Sequence, residues 1–256
     1  MNHSFPRERR HTLYFLREAR AVAPIFLDID IDMTEAIAQK EQWRQHGNRL
    51  SFSSLLIQSI ARAMADMPAT NLAVHGSILT TQRRYQGVHA KFTMDKKIGQ
   101  SRIVCSTVLP RADCQHLQEI QAGIDFFKQA DVSSSPSFAK LRLLHKLPPL
   151  LGYWLYKTVM RSLHRRHAAH GSFAITSLGQ YAVRGFYPIS GGTFTFGVGK
   201  IVPTPIVREA QILIAPILRL CLTFDHRAHD GAIVGELLDA IKRQMEHPRP
   251  QGNGVK

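Results

Sequence analysis

Phe224-Asp225-His226-Arg227-Ala228-His229-Asp230-Gly231 closes an apolar run that begins at Leu218. A His followed four residues later by Asp and then Gly, directly behind such a run, predicts an imidazole held at the end of a buried strand. Imidazole titrates near neutrality, so His226 in that position can take a proton from a thiol or hydroxyl. Asp230 and Gly231 then open a helix over residues 232–244, with Ile233, Leu237, Leu238 and Ile241 on one stripe. A plainer reading stands beside this one: Asp230 as a helix N-cap and His226 as a strand-end residue, since short His/Asp motifs recur by accident.

Outward from the octet, strands and helices alternate. Residues 25–31 alternate Phe26, Leu27, Ile29 and Ile31 with Asp28 and Asp30, as a half-exposed strand does. Residues 34–45 read as a helix with Ala36, Ile37 and Trp43 inward, and Thr34 as a candidate cap. A second helix starts at Ser53 or Ser54, carries Leu56, Ile57, Ile60, Ala61, Met64 and Met67 at helical spacing, and stops at Pro68. Residues 87–94 and 102–109 read as strands, 115–129 as a helix, and 173–175, 193–198 and 212–224 as further strands. That order predicts an α/β chain with a mixed sheet flanked by helices. With 256 residues and 44% hydrophobic content, one large core and a single domain over residues 1–256 are expected.

Three cysteines, Cys105, Cys114 and Cys221, are an odd number without metal-ligand spacing. Neither a disulfide framework nor a metal is expected, and a reducing cytoplasm is the expected location. No apolar stretch of signal-peptide type follows Arg7, Arg9 and Arg10.

Charge is the second informative feature. The net charge is +14, and no Asp or Glu occurs between Asp131 and Glu209. Lys140, Arg142, Lys146, Lys157, Arg161, Arg165, Arg166, Arg184, Lys200 and Arg208 all fall in that interval. Such a field suits a phosphate-bearing ligand, an acidic carrier protein, anionic lipid or nucleic acid, or it is a solvated basic face without a specific ligand. Nucleic acid is not expected, because no zinc-finger spacing or aromatic RNA-binding signature is present. Within the interval, residues 136–170 mix leucines, Tyr153, Trp154 and Tyr156 with basic residues around Pro148-Pro149. The segment is too interrupted by charge to span a bilayer. It can pack on the domain or a neighbouring subunit, wall an acyl tunnel, or lie at a membrane interface.

Asp225-His226-Arg227 with Asp230-Gly231 resembles the C-terminal signature of the catalytic acyltransferase of 2-oxo acid dehydrogenase complexes, a relative of chloramphenicol acetyltransferase. A second block supports the resemblance: Gly171-Ser172-Phe173-Ala174-Ile175-Thr176-Ser177-Leu178-Gly179, then Phe186-Tyr187-Pro188-Ile189, then Phe196-Gly197-Val198-Gly199. Looser matches lie at Arg9-Arg10, at Ala23-Pro24 leading into residues 26–32, and at Leu50-Ser51-Phe52 before Leu55-Leu56-Ile57. The resemblance spans nearly the whole chain and is densest in its last third. It implies a chloramphenicol acetyltransferase-like fold and a mechanism in which His226 is the general base. It also implies that a hydroxyl before the Leu-Gly turn stabilises the oxyanion. Alignment places Thr176 there, with Ser177 one residue away on the opposite strand face. Asp230 is implied to fix the His226 loop through an arginine, with Arg10 as the candidate, while His229 is read as incidental.

Several positions depart from the family pattern. No lipoyl domain, subunit-binding domain or Ala/Pro-rich linker is recognised, so an acyl-carrying protein or lipoyl domain is expected to act in trans. Ser190-Gly191-Gly192 replaces an Asn-Pro-Pro-like turn, and Gln58 stands where a Lys is usual. Residues 96–102 lack the family's Gly-Leu-Val-Val-Pro-like strand. The resemblance implies a coenzyme A-dependent acyltransferase assembled as a homotrimer or a cage of trimers. The alternatives are a trimeric scaffold without catalysis, and a membrane-surface or anion-binding module.

Overall fold

The computed structural model describes residues 5–76, 80–98 and 101–248. Gly99 and Gln100, within the departing stretch 96–102, lie outside the described residues. In chain order the elements are α1 (Arg10–Ala19), β1 (Pro24–Asp32), α2 (Thr34–Gln45), α3 (Phe52–Asp66), β2 (Leu72–His75) and β3 (Thr81–Arg84). Next come β4 (Ala90–Ile98), β5 (Ser101–Leu109), α4 (Leu117–Gln129), α5 (Ala139–Lys146), α6 (Pro149–Arg161) and α7 (Leu163–His170). The chain closes with β6 (Phe173–Ser177), β7 (Phe194–Val198), β8 (Val202–Arg208), β9 (Gln211–Asp225) and α8 (Gly231–Glu246).

Seven strands form one sheet in the order β1-β9-β7-β6-β4-β5, with β8 also paired to β9, and β2 and β3 form a separate hairpin. β6 runs parallel to both β4 and β7, and the remaining pairs are antiparallel, so the sheet is mixed. On its first face Phe173, Ile175, Phe194, Phe196, Leu222 and Phe224 join the core formed with α3, α4 and α8. Phe173 and Phe196 meet edge to face at 5.9 Å. Each fully buried phenyl contributes roughly 1.5–3 kcal/mol by leaving water.

The second face is polar by alternation. Asp28 and Asp30 point away from the core and stand opposite Cys221 and Arg219 on β9. Arg219 bonds the Asp30 carboxylate at 2.9 and 3.0 Å, which explains how β1 tolerates its acidic residues. Gly197 of β7 opens on this face, where a side chain would collide with the Phe186 carbonyl. The segment around Phe186 and Pro188 therefore lies directly across the sheet.

α1 and α7 cover the part of the second face nearest β4 and β5, with α5 and α6 packed on α1. Pro148-Pro149 separates α5 from α6 as expected, and Pro149 occupies the first turn of α6, where its missing N–H is not needed. Ser51 caps α3 by accepting from the Ser54 amide at 3.2 Å, so the helix begins earlier than Ser53. Ile37 is exposed instead of inward. Ala36 and Trp43 are seven residues apart on one face of α2, and Ile37 lies about 100° round from Ala36. Residues 96–98 and 101–102, without the family's apolar strand, nevertheless form the outer end of the β4–β5 hairpin.

Candidate active site

β9 delivers His226 one residue past its last paired position, and the turn behind it is built on a buried carboxylate. Asp225 is 2% exposed. Its carboxylate accepts from the Arg227 guanidinium at 2.9 and 2.6 Å, from the Arg227 amide at 3.2 Å and from the Ala23 amide at 3.3 Å. Arg227 also donates to the Gly76 carbonyl at 3.0 Å. A buried ion pair is tolerable when its remaining hydrogen-bonding capacity is satisfied in this way. The Ala228 amide closes the turn on the Asp225 carbonyl at 2.9 Å, and the His226 amide donates to Ala23 at 2.9 Å.

The half-exposed His226 ring has its Nδ1 at 2.9 Å from the His229 carbonyl oxygen. A carbonyl only accepts, so Nδ1 carries the proton and Nε2 keeps its lone pair in the neutral ring. Asp230 Oδ1 lies 3.7 Å from the same Nδ1, too far for a hydrogen bond. The Asp230 side chain is 92% exposed and caps no helix amide, although its backbone occupies the N-cap position of α8.

Two expectations about this loop are corrected. Arg10 does not reach Asp230; it donates to the Leu147 carbonyl at 3.2 Å, tying α1 to the α5–α6 corner. The carboxylate that braces the loop through an arginine is Asp225, with Arg227. His229 is not incidental either: its ring stacks on Phe194 at 5.1 Å, and Nε2 donates to Thr70 at 3.1 Å while its carbonyl orients His226. The signal available in the sequence was the apolar run extending to Phe224, which carries the next residue, Asp225, into the interior.

Thr176 is half-buried near the end of β6, and its hydroxyl makes no hydrogen bond among the described residues. It faces away from the core, opposite Gly197 on β7 and Thr93 on β4. Ser177 points to the other face, where its hydroxyl accepts from the Gly179 amide at 3.3 Å and holds the Leu-Gly turn. Register separates Thr176 from His226. Phe173, Phe194 and Phe224 are level, and His226 lies two residues beyond Phe224 in the direction opposite to Thr176. Five residue steps correspond to roughly 16 Å along the strands. One chain therefore does not bring the two groups together.

Next to Thr176's row lies a cluster that the sequence did not announce. Lys91 of β4 is buried with its ammonium 3.5 Å from His170 Nδ1 and over the Phe15 ring, and no carboxylate among the described residues pairs with it. Burial lowers Lys91 to about 8 and drives His170 well below its usual value. His167 stacks on Tyr85 at 3.8 Å and is held at about 4, first by burial and then by neighbouring His89.

The basic interval divides into engaged and free cations. Arg142 donates to the Val132 and Ser135 carbonyls, Arg166 to Val74 and Gly191, and Arg208 pairs with Asp32. Lys140, Lys146, Lys157, Arg161, Arg165, Arg184 and Lys200 make no ion pair among the described residues. Of the departing positions, Ser190 is buried and bonds Thr195 at 2.6 Å, Gly191 takes a left-handed φ of 67°, and Gln58 is buried within α3.

Residues 156–251 match the profile of a family described as 2-oxoacid dehydrogenases acyltransferase, catalytic domain. The dihydrolipoyllysine-residue acetyltransferase component of the Bacillus subtilis pyruvate dehydrogenase complex is 23% identical over 227 residues, covering 86% of this chain and 44% of that protein. Shorter matches to other such components, about 40% identical, reach only about a fifth of their length. Among solved structures, a probable dihydrolipoamide acetyltransferase from Listeria monocytogenes superposes with a TM-score of 0.72 at 16% identity, covering 100% of this chain and 98% of that one. The cubic core of a pyruvate dehydrogenase multienzyme complex gives 0.71 at 20% identity, covering 96% and 91%. The mixed sheet flanked by helices is thus the fold of these acyltransferase cores. Over residues 156–251, which hold His226, Asp230 and Thr176, the chain is thus similar to the catalytic domains of the 2-oxo acid dehydrogenase acyltransferases.

Proposed function

We propose that this chain is a coenzyme A-dependent acyltransferase in which His226 is the general base. The observation that carries the reading is the His226 Nδ1 hydrogen bond to the His229 carbonyl, which leaves Nε2 free to accept a proton. Nε2 takes the proton of an acceptor thiol, hydroxyl or amine, and the acceptor attacks the carbonyl carbon of an acyl thioester. Collapse of the tetrahedral intermediate expels the thiolate, which recovers the proton from the His226 imidazolium. Asp230 Oδ1 stands 3.7 Å from Nδ1, on the side of the ring away from the reacting Nε2.

The oxyanion donor is Thr176 of the partner subunit, because register holds the chain's own Thr176 too far away. A homotrimer or cage of trimers would supply that neighbour, with active sites between subunits. Coenzyme A is a substrate, and an acyl-carrying protein or lipoyl domain would present the other acyl-bearing thiol. Buried Cys105 and Cys221, with Cys114 exposed and all three free, fit a cytoplasmic location.

The test is incubation of purified protein with a panel of acyl-coenzyme A thioesters and candidate acceptors, following free-thiol release. Turnover abolished by His226→Ala is the expected result. No turnover with any thioester and acceptor from a folded, oligomeric protein would favour a scaffold.

A further inference from the structure

We infer that the α5–α6 corner is a docking surface for an anionic membrane. α6 has a satisfied inner side: Gly152 lies against the Tyr14 ring, Tyr14 donates to the Pro149 carbonyl at 3.1 Å, and Tyr153 bonds Glu18 at 3.3 Å. Its outer side is Leu150, Leu151, Trp154, Lys157, Thr158 and Arg161, which share an arc of about 120° on a helical wheel. Leu150 is 85% exposed and Trp154 62%, with Leu151 and Leu143 about half exposed. Exposed leucines and a tryptophan beside a proline corner are not packing residues of this domain.

Charge selects the occupant. Lys146, Lys157 and Arg161 flank the apolar corner without an ion pair among the described residues, and the surrounding interval of sequence holds no acid. A contact with a second copy, whether self-facing or against a different face as in a trimer, would bring these cations against another chain of net charge +14. An acidic protein would satisfy the cations but give the protruding Leu150 and Leu151 no apolar phase. An anionic bilayer satisfies both: leucine and indole enter the interface while the lysine and arginine stems reach phosphates. No helix among the described residues is long and apolar enough to cross a membrane, so the contact is peripheral.

The test is co-sedimentation of the full chain with vesicles of phosphatidylcholine alone or mixed with phosphatidylglycerol. Binding to the mixed vesicles, at least tenfold weaker to phosphatidylcholine and weakening with salt, is expected. Leu150→Ser/Trp154→Ser should lose at least tenfold in binding while its circular dichroism is unchanged. In a Trp43→Phe background Trp154 is the only tryptophan. Its emission should shift to the blue on adding mixed vesicles. Absent binding, or binding undiminished in the double variant, overturns the proposal. So does loss of oligomer in that variant with vesicle binding intact, which would assign the corner to a copy of the chain. Equal retention of both proteins on polyglutamate with no vesicle binding would assign it to an acidic partner.

Discussion

His226 Nδ1 lies 2.9 Å from the carbonyl oxygen of His229, three residues along the same turn. That contact sets the tautomer, because the acceptor cannot give up a proton and the ring must. The orienting atom belongs to the backbone, and it is held by His229 stacking on Phe194 and bonding Thr70. The base is therefore positioned by packing as much as by charge.

Replacement of His226 by Ala should lower acyl transfer by about 10²–10⁴-fold, the range for a positioned general base. The side chain is half exposed, so circular dichroism and thermal unfolding should be unchanged. Single-turnover thiol release compared with wild type is the measurement, and equal rates would end the assignment.

Thr176→Val should cost about 10²–10³-fold in kcat if its hydroxyl holds the oxyanion. Because register separates Thr176 from His226 of the same chain, two inactive variants should complement each other. Co-expressed His226→Ala and Thr176→Val chains should recover part of the activity, since some interfaces then pair an intact His226 with an intact Thr176. Mass spectrometry would establish mixed oligomers, and inactivity in their presence would contradict the shared site. A stable monomer by light scattering would contradict it as well.

Arg227→Leu leaves Asp225 as an unpaired carboxylate at 2% exposure. Breaking one side of a buried pair costs about 3–5 kcal/mol. Urea unfolding should show that loss, together with reduced activity as the His226 turn loosens. A change within error of zero would mean that water replaces the guanidinium.

His167 is held at about 4 and so is His145, in each case first by burial and next by a neighbouring histidine. The unfolded chain, with histidines near 6.5, binds more protons between pH 6.5 and 4, so stability must fall as pH drops through that window. It is fully present above 6.5. Thermal unfolding from pH 7 to 4 should show a declining Tm. His167→Phe, which keeps the stack on Tyr85, should flatten the decline.

Arg184 and Lys200, free cations of the acid-free interval away from the α5–α6 corner, should read coenzyme A phosphates if they line its entrance. Calorimetry should then show tighter binding of coenzyme A than of its 3′-dephospho form, with the preference shrinking as salt rises. Equal affinity for the two forms would remove this charge from the cofactor.

Much of the sheet was legible because periodicity is a local property. The alternation over Phe26 to Ile31 and the apolar run ending at Phe224 predicted β1 and β9, and the stripe through Leu237, Leu238 and Ile241 predicted α8. The β2–β3 hairpin and α1 were not read. The strands of that hairpin are four residues each, too short for a period to emerge, and α1 interleaves Arg and Glu with its apolar positions.

The sequence by itself determined which chemical groups are present at the candidate site: an imidazole at a strand end, and a hydroxyl before a Leu-Gly turn. Only the tertiary structure decided their partners. Asp225, not Asp230, pairs with an arginine, because β9 carries it into the interior, where an unpaired carboxylate is costly. Arg10 is drawn instead to the Leu147 carbonyl by the packing of α1 on α5 and α6. The distance between Thr176 and His226 is likewise a property of strand register across β6, β7 and β9, which depends on pairings between residues roughly 20 to 30 positions apart and which no local pattern encodes.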